Sequence, residues 1–432
     1  APHDARGHFN LGRCLLEAKR PADAHAALTK AARIAPADAA VRIALADSCA
    51  DLDQPKAALD HITAALKIEP TSTIAHTHHG SLLSEAGDHR AALAAYERAL
   101  AIDPTHVSAI VNRGLTRLKL GELADGWADY ARRADDPNFR AKRPPKPIPR
   151  WTGEDLTGRA ILVYGDQGLG DEILYAAMIP ALARKAGRVT LECEPRLVNL
   201  FARAFPTVTV MPAPPLGAPQ DLGGFACHAS LIDLGRHLRT SWSAFPNRRA
   251  VLTADPQAVT AQRAALDAAL GPGRPRIGIS WTSANPSAGR DKTIPLEAWR
   301  PIINHPGVAF VNLQYGDTAA DVAAAKAHLG VDILDDAAFD RREDIDALAA
   351  RIAALDLVVT VSNTTAHLSA ALGVPTWVLT PRGKGGLWYW FDHGDFSPWY
   401  PSVRLFRFAN GTAADTITTV GRALAEVVAH GG

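Results

Sequence analysis

The stretch ILVYGDQGLGDEILYAAMIPAL, residues 161–182, decides how this chain is read. It opens as an apolar run of strand length. GDQGLGD then turns, and EILYAAMIPALARKA has the pattern of an amphipathic helix. Downstream, RVTLECEP (188–195) reads as a strand, RLVNLFARAFP (196–206) as a helix and VTVMP (208–212) as a third strand. Strands alternating with helices at this spacing predict a parallel sheet, in a lobe spanning 160–250. GDQGLG is not GxGxxG, and CHASLIDLGRHLRTS (227–241) lacks the acidic residue that clamps a dinucleotide ribose. Hydride transfer is therefore disfavoured. Gly168 and Gly170 let the loop pass close to a ligand. Asp171 falls at the start of the helix, at the carboxyl edge of the first strand. It either caps free amides or takes part in chemistry.

Upstream of this stretch the sequence repeats itself. ARIAP, LKIEP and LAIDP end at Pro36, Pro70 and Pro104, a spacing of 34 residues each time. That is the period of tetratricopeptide repeats, stacked helical hairpins that present a groove. The prolines predict repeats at 5–38, 39–72 and 73–106, with an atypical fourth at 107–140, in an array covering 1–140. Gly12, Gly80 and Gly114, with Ala46 in the second repeat, let paired helices approach closely. His76, His78, His79, Asn112, Arg113 and Arg117 are candidates to face the groove. HTHH (76–79) puts two histidines one helical turn apart, but no carboxylate or cysteine completes a metal site, so none is expected. The array is read as a surface for peptide or helix capture, against a purely structural or dimerising array. A basic, proline-rich linker at 141–159 is expected to be extended, because prolines disfavour a helix there.

Beyond residue 273 a second alternating unit runs to 432. Its strands are RIGISW (276–281), VAFVNLQYG (308–316), VDIL (331–334), DLVVTVS (356–362) and VPTWVLTP (374–381). Ser362, Asn363, Thr364, Thr365 and His367 gather at one strand-to-helix junction. Amides at a helix start with two hydroxyls and a histidine make a phosphate cradle. Plain capping by Asn363 or Thr364 is the simpler alternative. Arg290, Lys292 and Lys384 are placed to neutralise phosphate. Trp281 and Tyr315 are candidates to pack on a base or sugar, with core packing equally open for Trp281. Four of the nine tryptophans lie between 377 and 399, in a stretch (381–407) whose prolines and glycines predict a packed loop. AADTITTVGRALAEVVAH (413–430) predicts a closing amphipathic helix.

With 432 residues, two or three domains are expected. Lys plus Arg (46) less Asp plus Glu (45) leaves a net charge of +1, which gives no general attraction to nucleic acid or acidic membranes. The four cysteines share no metal-ligand or CxxC spacing and are expected to be buried thiols. No run approaches the apolar length of a membrane span, and no signal-like stretch opens the sequence, so a cytoplasmic protein is the expectation.

GDQGLGDEI (165–173), GISWTS (278–283), GRDKTIPLEAW (289–299), NLQYGD (312–317), DLVVTVSNTTAHLSAALGVPTWVL (356–379) and PWYPSVRLFR (398–407) together resemble a known group. It comprises bacterial tetratricopeptide-repeat proteins with a heptosyltransferase-like, GT-B glycosyltransferase domain. Protein O-GlcNAc transferase is similar in layout and more distant. The resemblance implies an α plus α/β architecture, a repeat array followed by two Rossmann-like lobes, the second holding a nucleotide-sugar donor. It implies a C-terminal helix that returns to the first lobe. It makes Asp171 the base, brings Thr364, Thr365 and His367 to the donor's phosphates with Lys292 or Arg290 assisting, and shapes the donor pocket with Gln314 and Tyr315. Many relatives carry an Asp-Thr pair where this chain has Ser362-Asn363-Thr364. Some members resemble flagellin glycosyltransferases that attach nonulosonic acids such as pseudaminic acid. That implies a metal-independent, inverting enzyme using a CMP-sugar, with no cofactor, and flagellin bound by the repeats as Ser/Thr acceptor. UDP, GDP and ADP remain open. The alternatives are an inactive scaffold or export adaptor, which Ser362-Asn363 favours, and a glycan or lipid-linked acceptor.

Overall fold

The computed structural model describes residues 4–142, 146–215, 218–285, 288–336, 339–409 and 412–430, with backbone alone at 140–142 and 430. Arg143, Pro144 and Pro145 of the expected linker lie outside the described residues. The chain divides into two compact units, Ala1–Lys142 and Arg143–Gly432.

The first unit is a tetratricopeptide-repeat array of four helical hairpins: α1 (Ala5–Glu17) with α2 (Pro21–Ile34), α3 (Ala39–Asp51) with α4 (Pro55–Ile68), α5 (Thr73–Glu85) with α6 (His89–Ile102), and α7 (Val107–Leu120) with α8 (Leu123–Tyr130). Asp4, Asp38 and Ser72 cap α1, α3 and α5 by accepting from backbone amides. Pro21 and Pro55 occupy the first turns of α2 and α4, where the missing N–H costs nothing. The repeated prolines sit in the turns, two residues before the caps Asp38, Ser72 and His106. The small residues are contact points. A Cβ on Gly80 would stand 2.6 Å from the ring of the buried Tyr96, and one on Gly12 would stand 2.5 Å from Leu28. The fourth repeat is atypical. Its second helix is short and passes into a 3-10 turn (Ala131–Asp135) and a further helix (Pro137–Lys142). That last helix corrects the expectation of a wholly extended linker. Pro137 begins the helix, a place where proline is tolerated.

The second unit contains two separate, all-parallel sheets. The first has the order β3-β2-β1-β4, with β1 Ala160–Tyr164, β2 Arg188–Cys193, β3 Thr209–Pro212 and β4 Cys227–Ser230. The linker continues it: Trp151 N donates to His228 O at 2.8 Å, and His228 N donates to Pro149 O at 2.9 Å. The second sheet has the order β10-β9-β8-β5-β6-β7. Its strands are β5 Arg276–Ser280, β6 Ala309–Asn312, β7 Ile333–Leu334, β8 Leu357–Val361, β9 Thr376–Pro381 and β10 Val403–Phe408. The expected strands are all present. β4 and β10 are additional, and β10 ends the stretch read as loop. The helix after β1 is broken into Leu169–Ala176 and Ile179–Ala183, with Pro180 in the first turn of the second piece.

The closing helix, Ala414–His430, does not return to the first lobe. Its apolar stripe (Ile417, Val420, Leu424) enters the core of the second sheet beside Trp299 and Ile302. Gly421 allows this, because a Cβ there would lie 2.1 Å from Pro301 O. The lobes are joined elsewhere. Arg203 makes two 2.8 Å bonds to Asp346, and Trp399 from the second lobe meets Tyr175 of the first edge-on at 5.9 Å. Cys49, Cys193 and Cys227 are buried, whereas Cys14 is exposed because its helix turn lies on the array surface.

Candidate active site

Two strand-to-helix junctions, one from each lobe, meet in the second unit. In the first lobe, β1 delivers Gly165 to Gly168 and then the helix Leu169–Ala176. Gly165 is required because Glu172 folds back across it, accepting from Glu194 N at 2.9 Å. Asp171 Oδ2 accepts from Gly168 N at 3.3 Å. In the second lobe, β8 delivers Ser362 and Asn363 and then the helix Thr364–Ala371. The junctions touch at Gly170. A Cβ there would lie 3.1 Å from His367 Cδ2 and 3.5 Å from Thr364 Oγ1.

This contact puts Asp171 among charges and hydroxyls of the other lobe. Burial raises its carboxyl to about 6, opposed by the Gly168 amide and by the Lys292 charge. Lys292 is only 3% exposed and makes no hydrogen bond among the described residues. Burial depresses its ammonium, and Asp171 holds it up. Thr364, half-buried, lines the same contact. Two tyrosines complete the group: Tyr389 and Tyr400, whose phenols are pushed well up by burial and by the Asp171 charge. A carboxylate poised near neutrality, beside a buried cation and at a helix start, can take a proton and can stabilise an anion.

Several expected contacts are elsewhere. Trp281 is wholly buried in the second core and donates through Nε1 to Asp321 at 2.9 Å, so it presents no face to a ligand. Gln314 is equally unavailable. Its Oε1 accepts from Ser280 Oγ, Trp281 N and Thr282 N, and its Nε2 donates to Tyr315 O. Asn363 is a hub: Oδ1 accepts from Ala366 N and Thr360 Oγ1, and Nδ2 donates to Ser280 Oγ at 2.7 Å and Thr282 O at 2.9 Å. Ser362 accepts from Trp390 Nε1 at 2.8 Å. His367, 2% exposed, places Nδ1 3.3 Å from Tyr400 Oη and Nε2 3.3 Å from Tyr389 Oη, and stacks on Trp390. Both of its ring nitrogens face phenols. Burial and the Lys292 charge lower it to about 3, so it is neutral. Thr365 is buried inside its helix. Tyr315 is half-buried and accepts from Ala284 N at 2.8 Å. Arg290 is exposed on the short turn that buries Lys292, and Lys384 is half-buried in the turn after β9.

In the array, four expected groove residues brace the helices instead. His76 Nε2 is 3.0 Å from Pro70 O, and Asn112 Nδ2 donates to Ser81 Oγ at 3.2 Å. Arg113 bonds Asp129 twice at 2.8 Å, and Arg117 bonds the same carboxylate at 2.8 Å. The buried Asp129 of α8 draws both guanidiniums of α7 onto itself. His79 is half-buried, with its Nδ1 enclosed and unbonded among the described residues. His78 instead pairs with Asp47 at 2.8 Å. Among the described residues, no group of three or more His, Cys, Asp or Glu side chains is placed to hold a metal ion, and no helix is long and apolar enough to cross a membrane.

The largest of the described cavities, about 550 Å³, lies away from this site, lined by Trp151, Arg184 and Arg236 among others. The sequence reading missed the two tyrosines as site members. Their signal was the aromatic density of the 388–400 segment, which by itself does not say which rings face inward.

Comparison with known proteins gives the following. The tetratricopeptide-repeat family matches residues 5–38 and 74–106. Protein FlbA of Caulobacter vibrioides is 38% identical over 309 residues, covering 68% of this chain and 51% of FlbA. This chain thus spans about half the length of that relative. Among solved structures, a glycosyl transferase family 9 protein from Veillonella parvula shares 13% identity over 59% of this chain and 88% of its own, with a TM-score of 0.44. MamA shares 22% identity over 33% of this chain and 82% of its own, with a TM-score of 0.29. The chain carries a tetratricopeptide-repeat array, and its second unit has two Rossmann-like lobes.

Proposed function

We propose that the protein is a glycosyltransferase that moves a sugar from a nucleotide-sugar to a serine or threonine of a protein acceptor. One observation carries the reading: Lys292, buried and without a hydrogen bond, beside an Asp171 whose carboxyl is raised to about 6. The ammonium faces Asp171 but is held by no hydrogen bond among the described residues, so it is placed to meet a ligand anion. In this reading the acceptor oxygen attacks the anomeric carbon with inversion. Its proton passes to Asp171, and the bond from the anomeric carbon to the nucleotide's phosphate oxygen breaks. Lys292 and the helix start at Thr364 take the charge that develops on the leaving phosphate. The chemistry needs no metal. The sequence resemblance makes a CMP-linked nonulosonic acid the donor and flagellin, captured by the repeats, the acceptor.

The adaptor alternative drew on Ser362-Asn363 in place of an acidic residue. Both side chains are engaged in holding strands and loop together. Their identity is thus accounted for by the scaffold, and the enzyme reading is preferred. The test is intact-mass analysis of flagellin coexpressed with the protein and a nonulosonic-acid pathway, repeated in vitro with EDTA. A defined added mass that persists in EDTA and vanishes in Asp171→Asn is expected. A stable complex with no added mass under any donor supply would return the balance to the adaptor.

A further inference from the structure

Phe391 is held in a backbone conformation that side chains avoid. Its φ is 53° and its ψ is 176°. Two other non-glycine residues among the described ones have a positive φ, Lys19 and Asp53, and both are exposed in turns of the array. Phe391 is buried, only 2% exposed. Its ψ lies outside the left-handed helical well, in a region that is essentially glycine's own. Strain of this kind persists only where the surroundings impose it.

The residue joins two contacts. Before it, the 3-10 turn Trp388–Trp390 walls the candidate site. Trp390 stacks on His367 with 5.1 Å between ring centroids and 10° between planes, and its Nε1 donates to Ser362 Oγ at 2.8 Å. The ring of Phe391 itself meets the first lobe. It lies 4.7 Å from Trp242 and, edge-on, 6.2 Å from Phe245, both on the chain leaving that lobe. Burial of one phenylalanine ring and strain of this kind are of the same order. Without its partners the ring no longer holds the conformation. Turning φ back to negative values must then move either the ring off Trp242 or Trp390 off His367, because both hang on the same backbone. The second lobe adds a clamp of its own. Arg407 of β10 donates through Nη2 to Trp390 O at 2.7 Å and through Nε to Gly394 O at 3.2 Å. That clamp grips carbonyls on either side of residue 391, and a glycine there would serve it equally well. It does not account for a ring at this position.

We propose that Phe391 is a positioning residue that links the first lobe to the wall of the candidate site. Trp242 and Phe245 hold its ring, the ring holds the strained backbone, and the backbone keeps Trp390 against His367. Trp242, itself 39% exposed, thus acts on Trp390 through Phe391. The link is independent of which ligand the site takes.

The test uses the full chain without ligand. The indole N–H of Trp390 is identified in nitrogen-15 spectra by its loss in Trp390→Phe, and its exchange with solvent is timed. Phe391→Ala and Phe391→Gly both remove the ring, but only alanine keeps the strain. Glycine should hold the exchange rate within roughly threefold of native, and alanine should raise it roughly 10-fold or more. The glycine variant should also unfold at higher urea than the alanine variant, the reverse of the usual order of these residues. Alanine as protective as glycine, or as stable, overturns the proposal. Trp242→Ala should speed the Trp390 exchange roughly 10-fold in the native background and leave it unchanged in Phe391→Gly. Trp242→Leu gives the same comparison if the alanine variant melts early. Unchanged exchange on removing the Trp242 ring would place the hold on Phe391 wholly within the second lobe and overturn the link.

Discussion

Asp171→Asn should separate the charge of this side chain from its shape. Burial raises the carboxyl from 3.8 to about 6, so its charged form is disfavoured in the folded protein relative to the unfolded chain. A group raised in this way contributes stability that is present in acid and lost as pH climbs through the folded pKa. The window runs from the unfolded value of 3.8 to just above 6. A shift of about two units amounts to about 3 kcal/mol at full ionisation, and roughly half of it falls between about pH 5 and about pH 8. Asparagine carries no such titration and keeps an oxygen for Gly168 N. It also leaves Lys292 without its one charged counterpart, which offsets part of the gain. The measurement is urea unfolding followed by tryptophan fluorescence. Eight of the nine tryptophans lie in residues 143–432, so the signal reports this unit. Between about pH 5 and about pH 8 the native protein should lose about 1–1.5 kcal/mol more stability than the variant. Transfer by the variant should fall by about 10²- to 10⁴-fold, the usual worth of a general base. A parallel pH dependence of stability would refute the burial argument. Near-normal turnover would reduce Asp171 to a helix cap.

Asn363→Asp should cost about 2 kcal/mol, because a carboxylate cannot donate to Ser280 Oγ and Thr282 O and would face them as acceptors. A lower urea midpoint is expected, and an unchanged one would show that the hub is not needed. Gly80→Ala puts a Cβ 2.6–2.8 Å from the buried ring of Tyr96. Overpacking of about 1–3 kcal/mol should exceed the helix-propensity gain of about 1 kcal/mol. The helical melt followed by circular dichroism should move down, and an upward move would mean that α5 and α6 separate easily.

The repeats were legible because their physics is periodic. A close helix pair needs a glycine or alanine at the same place in every hairpin, and the turn that follows accepts a proline each time. Apolar strands such as β1, β5 and β8 were legible because both of their faces are buried. β4 was not, since Cys227–Ser230 is four residues long and half polar. β10 was hidden by the prolines and aromatics before it. The destination of the last helix could not be read either, because an amphipathic stripe says that a face is buried and not against what. At the candidate site, Asp171 and Lys292 were singled out from their places after strands, and the fold brings them to one contact. Gln314 and Asn363 were expected at the donor, and their internal partners could not be read from the sequence. Polar residues at strand ends serve ligands in many sheets, but here they make bonds across 32 or more positions of sequence. Only the fold brings those positions together.

The same hub bears on how Lys292 is kept available. Asn363 occupies the junction where the sequence resemblance implies an acidic residue. In this chain the amide links the ends of β8 and β5, and Gln314 carries the link on to β6. The junction is therefore fixed by neutral hydrogen bonds, without a buried carboxylate that would need a cation of its own. Lys292 is then left undivided between a structural partner and a ligand. His367 adds no charge, because burial and the nearby ammonium keep it neutral. Around the contact Lys292 faces Asp171, whose carboxyl is pushed up further by Asp166, so an arriving anion is drawn to Lys292 while Asp171 is kept ready to take a proton.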